Sequence, residues 1–519
     1  MQTDVVVIGA GCAGMVSALE AEATGARVIL IDRGPVGIGT NSALAGGIFA
    51  GPTPQYDRED HLRDTLQAGR GLNREGLVRL FVAEASGAFT LLRSLGCKLM
   101  EHPHGFAVRA PRPEVIQGVP LVKTLAGKIR ECRQMKVLTR FYVTEILRDD
   151  ERVHGVQGFS SSGEEVSISA PAIILATGGA GAIYLRNDNQ RNIVGQGYLL
   201  AAKAGLELWD MEFVQFYPLG MAEPGLPSLL VYPPHHREAR LVNGAGEDIL
   251  KKHGIEDMQR ARITRRDEFS ALLYRESLEG PVYMDYRAVP GSFWQTHPLG
   301  KVKFGFSGKL LRVSPVAHFF MGGVAIDEHG QTSLPGLFAC GEVAWGLHGA
   351  NRMGGNALTE CVVFGSIAGR HAAQYAGTHR VSSMASQEAS RGVGGGVSSS
   401  RGMLKELRRR IREVAWRHAG VVRSERGLRE GLQRLMELEG DFQSVVPETV
   451  AERRLKGDVV SAAFVLKAVL TASLARKESR GSFILEDVPQ RDDDKWRKNS
   501  CLTYDRQSHG FSLRHETPM

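Results

Sequence analysis

The beginning of the chain alternates apolar runs with one helix-forming stretch. Residues 4–8 and 27–31 are short runs rich in β-branched apolar residues, and such runs are typical of parallel strands buried on both faces. Residues 15–23 lie between them and have the composition of a helix. The pattern therefore predicts a strand–helix–strand unit at the N-terminus, which is the opening of an α/β fold.

The turn between the first strand and the helix carries a glycine pattern. Gly9, Gly11 and Gly14 are spaced so that the first permits a tight turn, the second lets a pyrophosphate approach the backbone and the third lets the helix pack on the strand. Asp32 follows the second strand, about 20 residues beyond the glycines, where an acid binds a ribose hydroxyl in dinucleotide sites. Together these features predict a bound dinucleotide.

The pattern changes along the rest of the chain. Strands and helices alternate to about residue 215, including a predicted strand at 173–176 that runs into a glycine-rich turn. Residues 377–402 are rich in serine and glycine and are predicted to be a flexible linker. Residues 404–417 and 424–437 have amphipathic periodicity with many charges, which predicts helices of a bundle with a solvated face.

Composition indicates a large globular enzyme. At 519 residues the chain is expected to hold two to four domains, and its 43% hydrophobic content is ordinary. No apolar run is expected to span a bilayer. The first predicted strand begins almost at Met1, so no signal peptide is expected and the predicted location is the cytoplasm or the cytoplasmic face of a membrane complex.

Charge and cysteine content limit the chemistry. The formal net charge of +7 is dispersed, so it suits a small anionic substrate or a partner surface better than nucleic acid. The six cysteines are scattered without a CxxC pair, so the sequence predicts neither an iron–sulfur cluster nor another metal site.

Residues 336–369 carry the most specific motif, in which GLFACGEVAWGLHGANRMGGNALTECVVFGSIAG includes Glu342, His348 and Arg352. This segment resembles the flavoprotein family that contains succinate dehydrogenase, fumarate reductase and L-aspartate oxidase. The tail segment 476–496 is also similar to the family, so the resemblance covers nearly the whole chain.

The resemblance implies an α/β fold with a Rossmann-like FAD-binding domain, an inserted α+β cap domain that is mobile, and a C-terminal helical domain. The implied divisions are 1–215 and 326–376 for the two parts of the FAD-binding domain, 216–325 for the cap, 377–402 for the linker, 403–475 for the helical domain and 476–519 for the C-terminal segment.

The cofactor implied by the resemblance is FAD. Family members of membrane complexes attach it through a histidine before an AxGG segment; Thr40 stands at that position here, so the FAD is expected to be non-covalent. The implied cofactor-binding residues are Gly9, Gly11, Ala13, Gly14, Asp32, Arg33, Thr40, Ala45, Gly46, Gly47, Ala176, Thr177, Gly178, Glu342, Arg352, Asn356, Ala357 and Leu358.

The resemblance also implies three catalytic residues. His318, in a segment similar to the family's HYxMGG, and Arg352 would hold a substrate carboxylate, for which a guanidinium offers two parallel donors. Arg266, followed by Asp267 as in the family's TRD segment, would move a proton while the flavin N5 handles the hydride. Because arginine is normally always charged, that role needs a desolvated site and a local relay.

The segment 210–220 departs from the family's FHPTG. Tyr217 replaces the histidine that would help to hold a substrate carboxylate, and Leu219 replaces the threonine. Tyrosine donates a hydrogen bond but brings no positive charge. Glu238 and Arg240 are candidates for the family's proton relay, and His235 and His236 are additional to it. These changes favour a less symmetric acid or one with another tail.

Three functions remain open. The first is an FAD-dependent oxidoreductase acting on the CH–CH bond of a small dicarboxylate or a related α,β-unsaturated acid, like fumarate reductase. The second is an L-aspartate oxidase-like amine oxidation, although residues 113–127 lack the acid-containing stretch expected for it. The third is a flavin-binding electron-transfer subunit of a larger complex. In each case an iron–sulfur or other electron-transfer partner would lie in another chain, without direct membrane insertion of this one.

Overall fold

The computed structural model describes residues 1–112, 115–231, 235–297, 300, 305–380 and 400–518. Within them, strands β1 to β20 are Val5–Ile8, Val28–Ile31, Ile48–Ala50, Leu99–His102, Gly105–Val108, Met135–Leu138, Tyr142–Arg148, Val153–Phe159, Glu165–Ser169, Ala172–Leu175, Leu208–Trp209, Val214–Met221, Arg240–Val242, Val282–Asp285, Leu310–Phe320, Gly323–Ala325, Leu337–Ala339, Ala344–Trp345, Asn499–Asp505 and Gly510–Glu516. In the same residues, helices α1 to α15 are Cys12–Ala23, Asn41–Leu44, Arg58–Ala68, Glu75–Ser94, Gly118–Glu131, Gln196–Lys203, Ile249–Lys252, Met258–Thr264, Arg266–Glu279, Phe293–Thr296, Asn356–Thr378, Ser400–His418, Glu425–Ser444, Val450–Ala475 and Asp493–Trp496.

A five-stranded parallel sheet forms the centre of the fold, in the order β17-β10-β1-β2-β6. Its first strand, Val5–Ile8, is fully buried, as a strand covered on both faces must be. The helix that follows starts at Cys12, three residues before the predicted start, because the backbone turns into the helix directly after Gly11. The predicted strand–helix–strand unit is therefore present.

Helix α11 packs closely against α1 on this sheet. Small residues make the approach possible: a Cβ added at Gly365 would lie 2.9 Å from the carbonyl oxygen of Ala13, and one at Gly369 would lie 2.4 Å from that of Ser17. The backbone of the long helix therefore lies close to the backbone of α1, which covers this sheet. Its N-terminus, at Asn356, lies at the same edge of the fold as the turn after β1.

A four-stranded sheet, β12-β15-β14-β13, belongs to the inserted cap. A hydrophobic cluster separate from the main core extends from Tyr217 to Val316 and packs beneath this sheet. Strands β12 and β15 pair antiparallel and carry the chain into the cap and out of it. The predicted boundaries at 215/216 and 325/326 stay predictions, and the cluster lies between them.

Helices α12, α13 and α14 form the C-terminal bundle, and their buried faces join the main core. Ser424 caps α13, and Thr449 and Glu452 form a capping box on α14. The bundle begins at Ser400, inside the predicted linker 377–402. Residues 381–399 of that linker lie outside the described residues.

Helix α14 corrects one expectation from the sequence. By length and composition it could cross a membrane, although no apolar run of that kind was predicted. In this fold 72% of its most apolar stretch is buried. The helix is apolar on nearly every side because it packs inside the bundle, between its neighbours and the main core.

Candidate functional site

The carboxyl ends of four parallel strands meet at one edge of the central sheet. The residues that directly follow strands β1, β2, β10 and β17 are Gly9, Asp32, Ala176 and Cys340. Ligands bind at this edge in open α/β sheets, because the loops and helix N-termini gather there. The edge therefore brings together segments that lie far apart in sequence.

The turn after β1 has the geometry that its glycines predict. Gly9 has φ +109°, and a Cβ there would lie 2.3 Å from the carbonyl oxygen of Ala176. A Cβ at Gly14 would lie 1.8 Å from the carbonyl oxygen of Gly9. A side chain is therefore excluded at both positions. The absence of a side chain at Gly9 lets the turn lie against the end of β10, and its absence at Gly14 lets α1 pack on the turn.

Asp32 is buried and fixed by the backbone around the turn. Its Oδ2 accepts a hydrogen bond of 2.7 Å from the N–H of Ala10, and its Oδ1 accepts one of 2.6 Å from the N–H of Gly34. Burial raises the pKa of this carboxyl, while the two backbone donors act in the opposite direction. The carboxylate is held at the position where the sequence predicts a ribose contact.

A cavity of about 1530 Å³ runs from this edge to the cap. Its volume exceeds the roughly 300–1,000 Å³ typical of a site for one small ligand, so it has room for a dinucleotide and a substrate together. It is lined by every predicted cofactor-binding or catalytic residue except Gly14 and Asn356, namely Gly9, Gly11, Ala13, Asp32, Arg33, Thr40, Ala45, Gly46, Gly47, Ala176, Thr177, Gly178, Arg266, His318, Glu342, Arg352, Ala357 and Leu358.

Asn356 is turned away from the cavity. Its Oδ1 lies 2.9 Å from Nε2 of His61, and its Nδ2 donates to Oγ1 of Thr65 at 3.0 Å. The side chain is fully buried and joins the start of α11 to α3. The sequence predicts Asn356 near the flavin ring, and that role stays a prediction; its side chain joins the two helices.

Gln215 is fully buried behind the cavity wall, where it contacts two arginines that line the cavity. Its Oε1 accepts a hydrogen bond from Nη1 of Arg266 at 3.1 Å and another from Nη2 of Arg352 at 2.8 Å. Its Nε2 donates to Oδ1 of Asn351 at 2.6 Å and to the carbonyl oxygen of Arg352 at 2.9 Å. One buried amide thus brings together an arginine of the cap and an arginine of the loop before α11.

Arg352 is buried, and its surroundings lower the pKa of its guanidinium group. Burial lowers its pKa to about 9, and the nearby positive charge of Arg266 acts in the same direction. The guanidinium lies over the ring of Phe319, with Cζ 4.6 Å from the ring centroid. Among the described residues, the buried Nε of Arg352 has no hydrogen-bond partner. The residue lines the cavity, but this nitrogen is buried within the wall.

Asp267 follows the cap arginine and is also buried. Burial raises the pKa of its carboxyl to about 7, against the lowering effects of Arg266 and Arg70. Its Oδ2 accepts a short hydrogen bond from Nδ2 of Asn351. The group therefore changes its charge near neutral pH, next to the arginine predicted to move a proton.

His318 stands on the strand that leaves the cap. Its Nδ1 lies 2.6 Å from Oδ2 of Asp188, which fixes the ring. The ring centroid of Tyr217 is 5.7 Å from that of His318, and Cζ of Arg266 lies 5.7 Å from the same tyrosine ring. Tyr217 therefore stands between two of the predicted catalytic residues.

Other residues of the sequence motifs lie outside the cavity wall. His348 is buried, with its Nε2 3.0 Å from Oε2 of Glu360. Leu219 is buried in the core of the cap. Arg240, a candidate for the proton relay, is half exposed and pairs with Asp248 at 3.2 Å. Glu238 is also exposed. The structure does not bring these residues to the substrate end.

Sequence reasoning missed Gln215, Asp188 and Asn351. Gln215 lies inside the segment already compared with the family, two residues before Tyr217, but no residue pattern there marks it. No local pattern marks Asp188 or Asn351. Their roles follow from contacts with residues 130 and 84 positions away.

The cavity fits a flavin dinucleotide by its own features. A Cβ added at Gly46 would meet nothing within 4 Å, and the residue lines the cavity, so the wall is open there to a ligand. Glu342 accepts a hydrogen bond of 3.1 Å from the N–H of Phe320, and burial raises its pKa to about 7. Together with the glycine turn and Asp32, the wall has glycine backbone for phosphates and acids for hydroxyl groups.

Comparisons with known proteins agree with this arrangement. A family model described as FAD binding domain matches residues 4–358, and one described as fumarate reductase flavoprotein C-term matches residues 408–518. A fumarate reductase (CoM/CoB) chain of Methanothermobacter marburgensis is 32% identical over 96% of this chain and 97% of its own length. L-aspartate oxidase of Agrobacterium fabrum is 32% identical over 96% of this chain and 93% of its own length.

Solved structures of fumarate reductases are also similar to this chain. A quinol-fumarate reductase chain, solved with menaquinol molecules, superposes with a TM-score of 0.87 at 25% identity and covers 100% of this chain and 98% of that one. E. coli quinol fumarate reductase superposes with a TM-score of 0.85 at 26% identity and covers 100% and 97%. The similarity therefore includes the cap and the bundle as well as the central sheet.

Proposed function

The chain belongs to the FAD-dependent oxidoreductase family of succinate dehydrogenase, fumarate reductase and L-aspartate oxidase, and we propose that it transfers a hydride between FAD and a small dicarboxylate or a related α,β-unsaturated acid. Its cofactor is FAD. When bound, FAD supplies the hydride-accepting and hydride-donating chemistry at its N5.

One observation carries the proposal. Arg266 of the cap and Arg352 of the loop before α11 both line the cavity and donate to the same oxygen of the buried Gln215. Two guanidinium groups that meet in the wall of one cavity attract an anion. A carboxylate held there would fix the acid relative to the cofactor-binding edge.

Some residues are assigned to binding the substrate carboxylate and others to proton transfer. Arg352 remains protonated at neutral pH, since its pKa is lowered only to about 9, and it holds the carboxylate. His318, fixed by Asp188, supports the same end. Arg266 carries the proton to or from the substrate carbon, and Asp267, with its pKa near 7, exchanges that proton with its surroundings.

The binding of the cofactor is proposed to be non-covalent. Thr40 is buried and donates its hydroxyl to the carbonyl oxygen of Gly37 at 2.5 Å. A threonine hydroxyl engaged in this way is not the imidazole nucleophile that covalent attachment needs. Acid precipitation of the protein should therefore release all of the flavin into the supernatant, and flavin retained in the pellet would contradict the assignment.

The test is an anaerobic half-reaction of the isolated chain. The purified holoenzyme is reduced chemically, unsaturated acids such as fumarate are added, and the return of the oxidised-flavin absorbance is followed. We expect reoxidation by at least one acid in the wild type and none in Arg266→Ala, which keeps its flavin. Arg287→Ala is the matched control, because Arg287 is an exposed cap arginine paired with Asp285. Reoxidation at the normal rate in Arg266→Ala would overturn the assigned role.

L-aspartate oxidation is the second candidate, supported by the similarity to L-aspartate oxidases. Of residues 113–127, Gln117 lines the cavity and offers a neutral amide rather than a charge for an ammonium group, while residues 113 and 114 lie outside the described residues. Reduction of the oxidised flavin by L-aspartate would establish this function. If neither acids nor L-aspartate react with the isolated chain, the chain is an electron-transfer subunit that acts with an iron–sulfur or similar partner.

A further inference from the structure

We infer that the C-terminal bundle forms part of the cofactor site, and that Asp458 on α14 is a positioning residue for FAD because it holds Arg33 in the wall of the cavity. The two residues lie 425 positions apart in the sequence. The inference goes beyond the proposed function, since it concerns the cofactor and not the acid that reacts with it.

Arg33 is fixed by contacts on three sides. It directly follows Asp32, the predicted ribose contact, and it lines the cavity. Its Nη2 donates a short hydrogen bond to Oδ1 of Asp458, and its Nη1 donates to the carbonyl oxygen of Asn192 at 3.1 Å. Its Cζ lies 4.8 Å from the ring centroid of Tyr142. The guanidinium is therefore held by a charge, a carbonyl oxygen and an aromatic ring.

Asp458 is the charged partner in this set. It is only 8% exposed, and a carboxylate removed from water needs a cation and further hydrogen-bond donors around it. Arg33 supplies the cation, and the hydroxyl group of Tyr142 donates to Oδ1 of Asp458 at 3.4 Å. Without the carboxylate, the guanidinium would keep one carbonyl oxygen and one ring, and more conformations of its side chain would be open to it. The carboxylate therefore preorganises Arg33 for the cofactor.

The same face of α14 supports the wall at two other places. A Cβ added at Gly457 would lie 2.4 Å from the hydroxyl oxygen of Tyr142. A Cβ added at Gly195, which lines the cavity at the start of α6, would lie 2.4 Å from Cγ2 of Val465. Because Asp458 and Val465 are seven residues apart, they lie on one face of the helix. This face therefore packs directly behind the cavity wall.

These contacts lie at the ribose end of the dinucleotide site, which Asp32 marks. A guanidinium that rests on an aromatic ring still offers its other face to a base and its edge to a phosphate. Arg33 would thus contact the adenylate part of FAD while Asp458 holds it from behind. Cofactor binding and docking of the bundle should then stabilise each other, because both depend on the same arginine.

The test measures the affinity for FAD in variants of the holoenzyme. The dissociation constant of FAD is determined from the rise in flavin fluorescence when the holoenzyme is diluted, and no substrate is used. Asp458→Asn keeps the shape of the side chain and removes its charge, so it should raise this dissociation constant at least about tenfold. A dissociation constant within about threefold of the wild type in the folded variant would overturn the inference.

A second ion pair of α14 provides the matched control. Arg453 pairs with Glu165 of β9, and its Cζ lies 4.0 Å from the ring centroid of Phe159, so a charge and a ring are combined in the same way. Neither Arg453 nor Glu165 is among the described residues that line the cavity. Glu165→Gln should lower the melting temperature and leave the dissociation constant of FAD within about threefold of the wild type. Equal losses of FAD affinity in the two variants would mean that α14 acts only through stability, and the inference would fail.

A double variant shows whether Asp458 acts through Arg33. Arg33→Ala should weaken FAD binding at least as much as Asp458→Asn, and the double variant should bind FAD within about threefold of Arg33→Ala alone. Additive losses would contradict the assignment.

Tyr142→Leu keeps the inference testable if Asp458→Asn does not fold. This variant removes the ring next to Arg33 and the hydroxyl group that donates to Asp458, while both charges remain paired. It should raise the dissociation constant of FAD about threefold or more. An unchanged dissociation constant would overturn the inference.

Discussion

Replacement of Gln215 by leucine removes the amide that joins the two arginines and keeps a side chain of similar size. The variant loses the acceptor shared by Arg266 and Arg352, whose donors lie 3.1 and 2.8 Å away. A hydrogen bond to a charged group contributes about 1.5–3 kcal/mol. Taking the lower value for each bond gives about 3 kcal/mol, or roughly a 100-fold loss if both bonds are needed in the transition state.

The assay is the steady-state reduction of whichever acid the wild type accepts, with kcat and KM determined separately. Because Arg352 is assigned to binding and Arg266 to proton transfer, Gln215→Leu should raise KM and lower kcat together. Flavin content and circular dichroism show whether the variant is folded. A change in KM alone would mean that Arg266 keeps its position without the amide.

A control distinguishes this role from a general effect of losing a buried amide. Asn73 is also buried, but its Nδ2 donates to backbone carbonyl oxygens, that of Leu347 at 2.8 Å, and holds no cavity arginine. Asn73→Leu should lower the melting temperature and leave kcat/KM within about threefold of the wild type. The reasoning is refuted if folded Gln215→Leu, with flavin bound, has a kcat/KM within the same threefold range.

Three further changes test other parts of the structure. Asp32→Asn leaves only one oxygen for the N–H groups of Ala10 and Gly34 and should weaken FAD binding about tenfold or more, as measured by flavin fluorescence on dilution. The pKa of Asp267 is about 7 in the folded state against 3.8 ordinarily, so the folded state holds an extra proton between these pH values. The free energy of unfolding therefore falls as the pH rises through that window. Urea unfolding at pH 5 and pH 7.5 should show a smaller fall in this free energy for Asp267→Asn than for the wild type. Gly365→Ala places a methyl 2.9 Å from the carbonyl oxygen of Ala13 and should destabilise the protein by about 1–3 kcal/mol, whereas Gly377→Ala, with nothing within 4 Å, should not.

The central sheet could be predicted because its signals are local. The apolar run at Val5–Ile8, the glycines after it and Asp32 lie within a short stretch, and each has a conformational reason to be there. The cofactor-binding edge follows, since parallel strands end on the same side. The bundle helices were also predictable from periodicity, although the extensive burial of α14 was not, because burial depends on what packs around a helix.

The substrate end could be predicted only in part. Motif resemblance suggested Arg266, His318 and Arg352, and all three line the cavity, while their proposed roles stay predictions. Resemblance did not suggest Gln215, because an amide has no signature of its own and its contacts reach 51 and 137 residues along the chain. Resemblance also suggested Asn356, whose side chain lies 2.9 Å from His61 of α3, and its predicted place near the flavin stays a prediction.

The proximity of Arg266 and Arg352 also affects closure of the cap. Arg266 belongs to the cap and Arg352 to the loop before α11, and each lies within hydrogen-bond distance of Gln215. Like charges brought together in a buried place repel each other; burial is the main cause of the lowered pKa of Arg352, and the charge of Arg266 lowers it further. A substrate carboxylate removes the repulsion, so binding of the acid should favour the closed cap. Part of the binding free energy is then used to exclude water and to place Arg266 at the substrate carbon, and an acid that fails to reach the arginines would leave the cap less firmly closed.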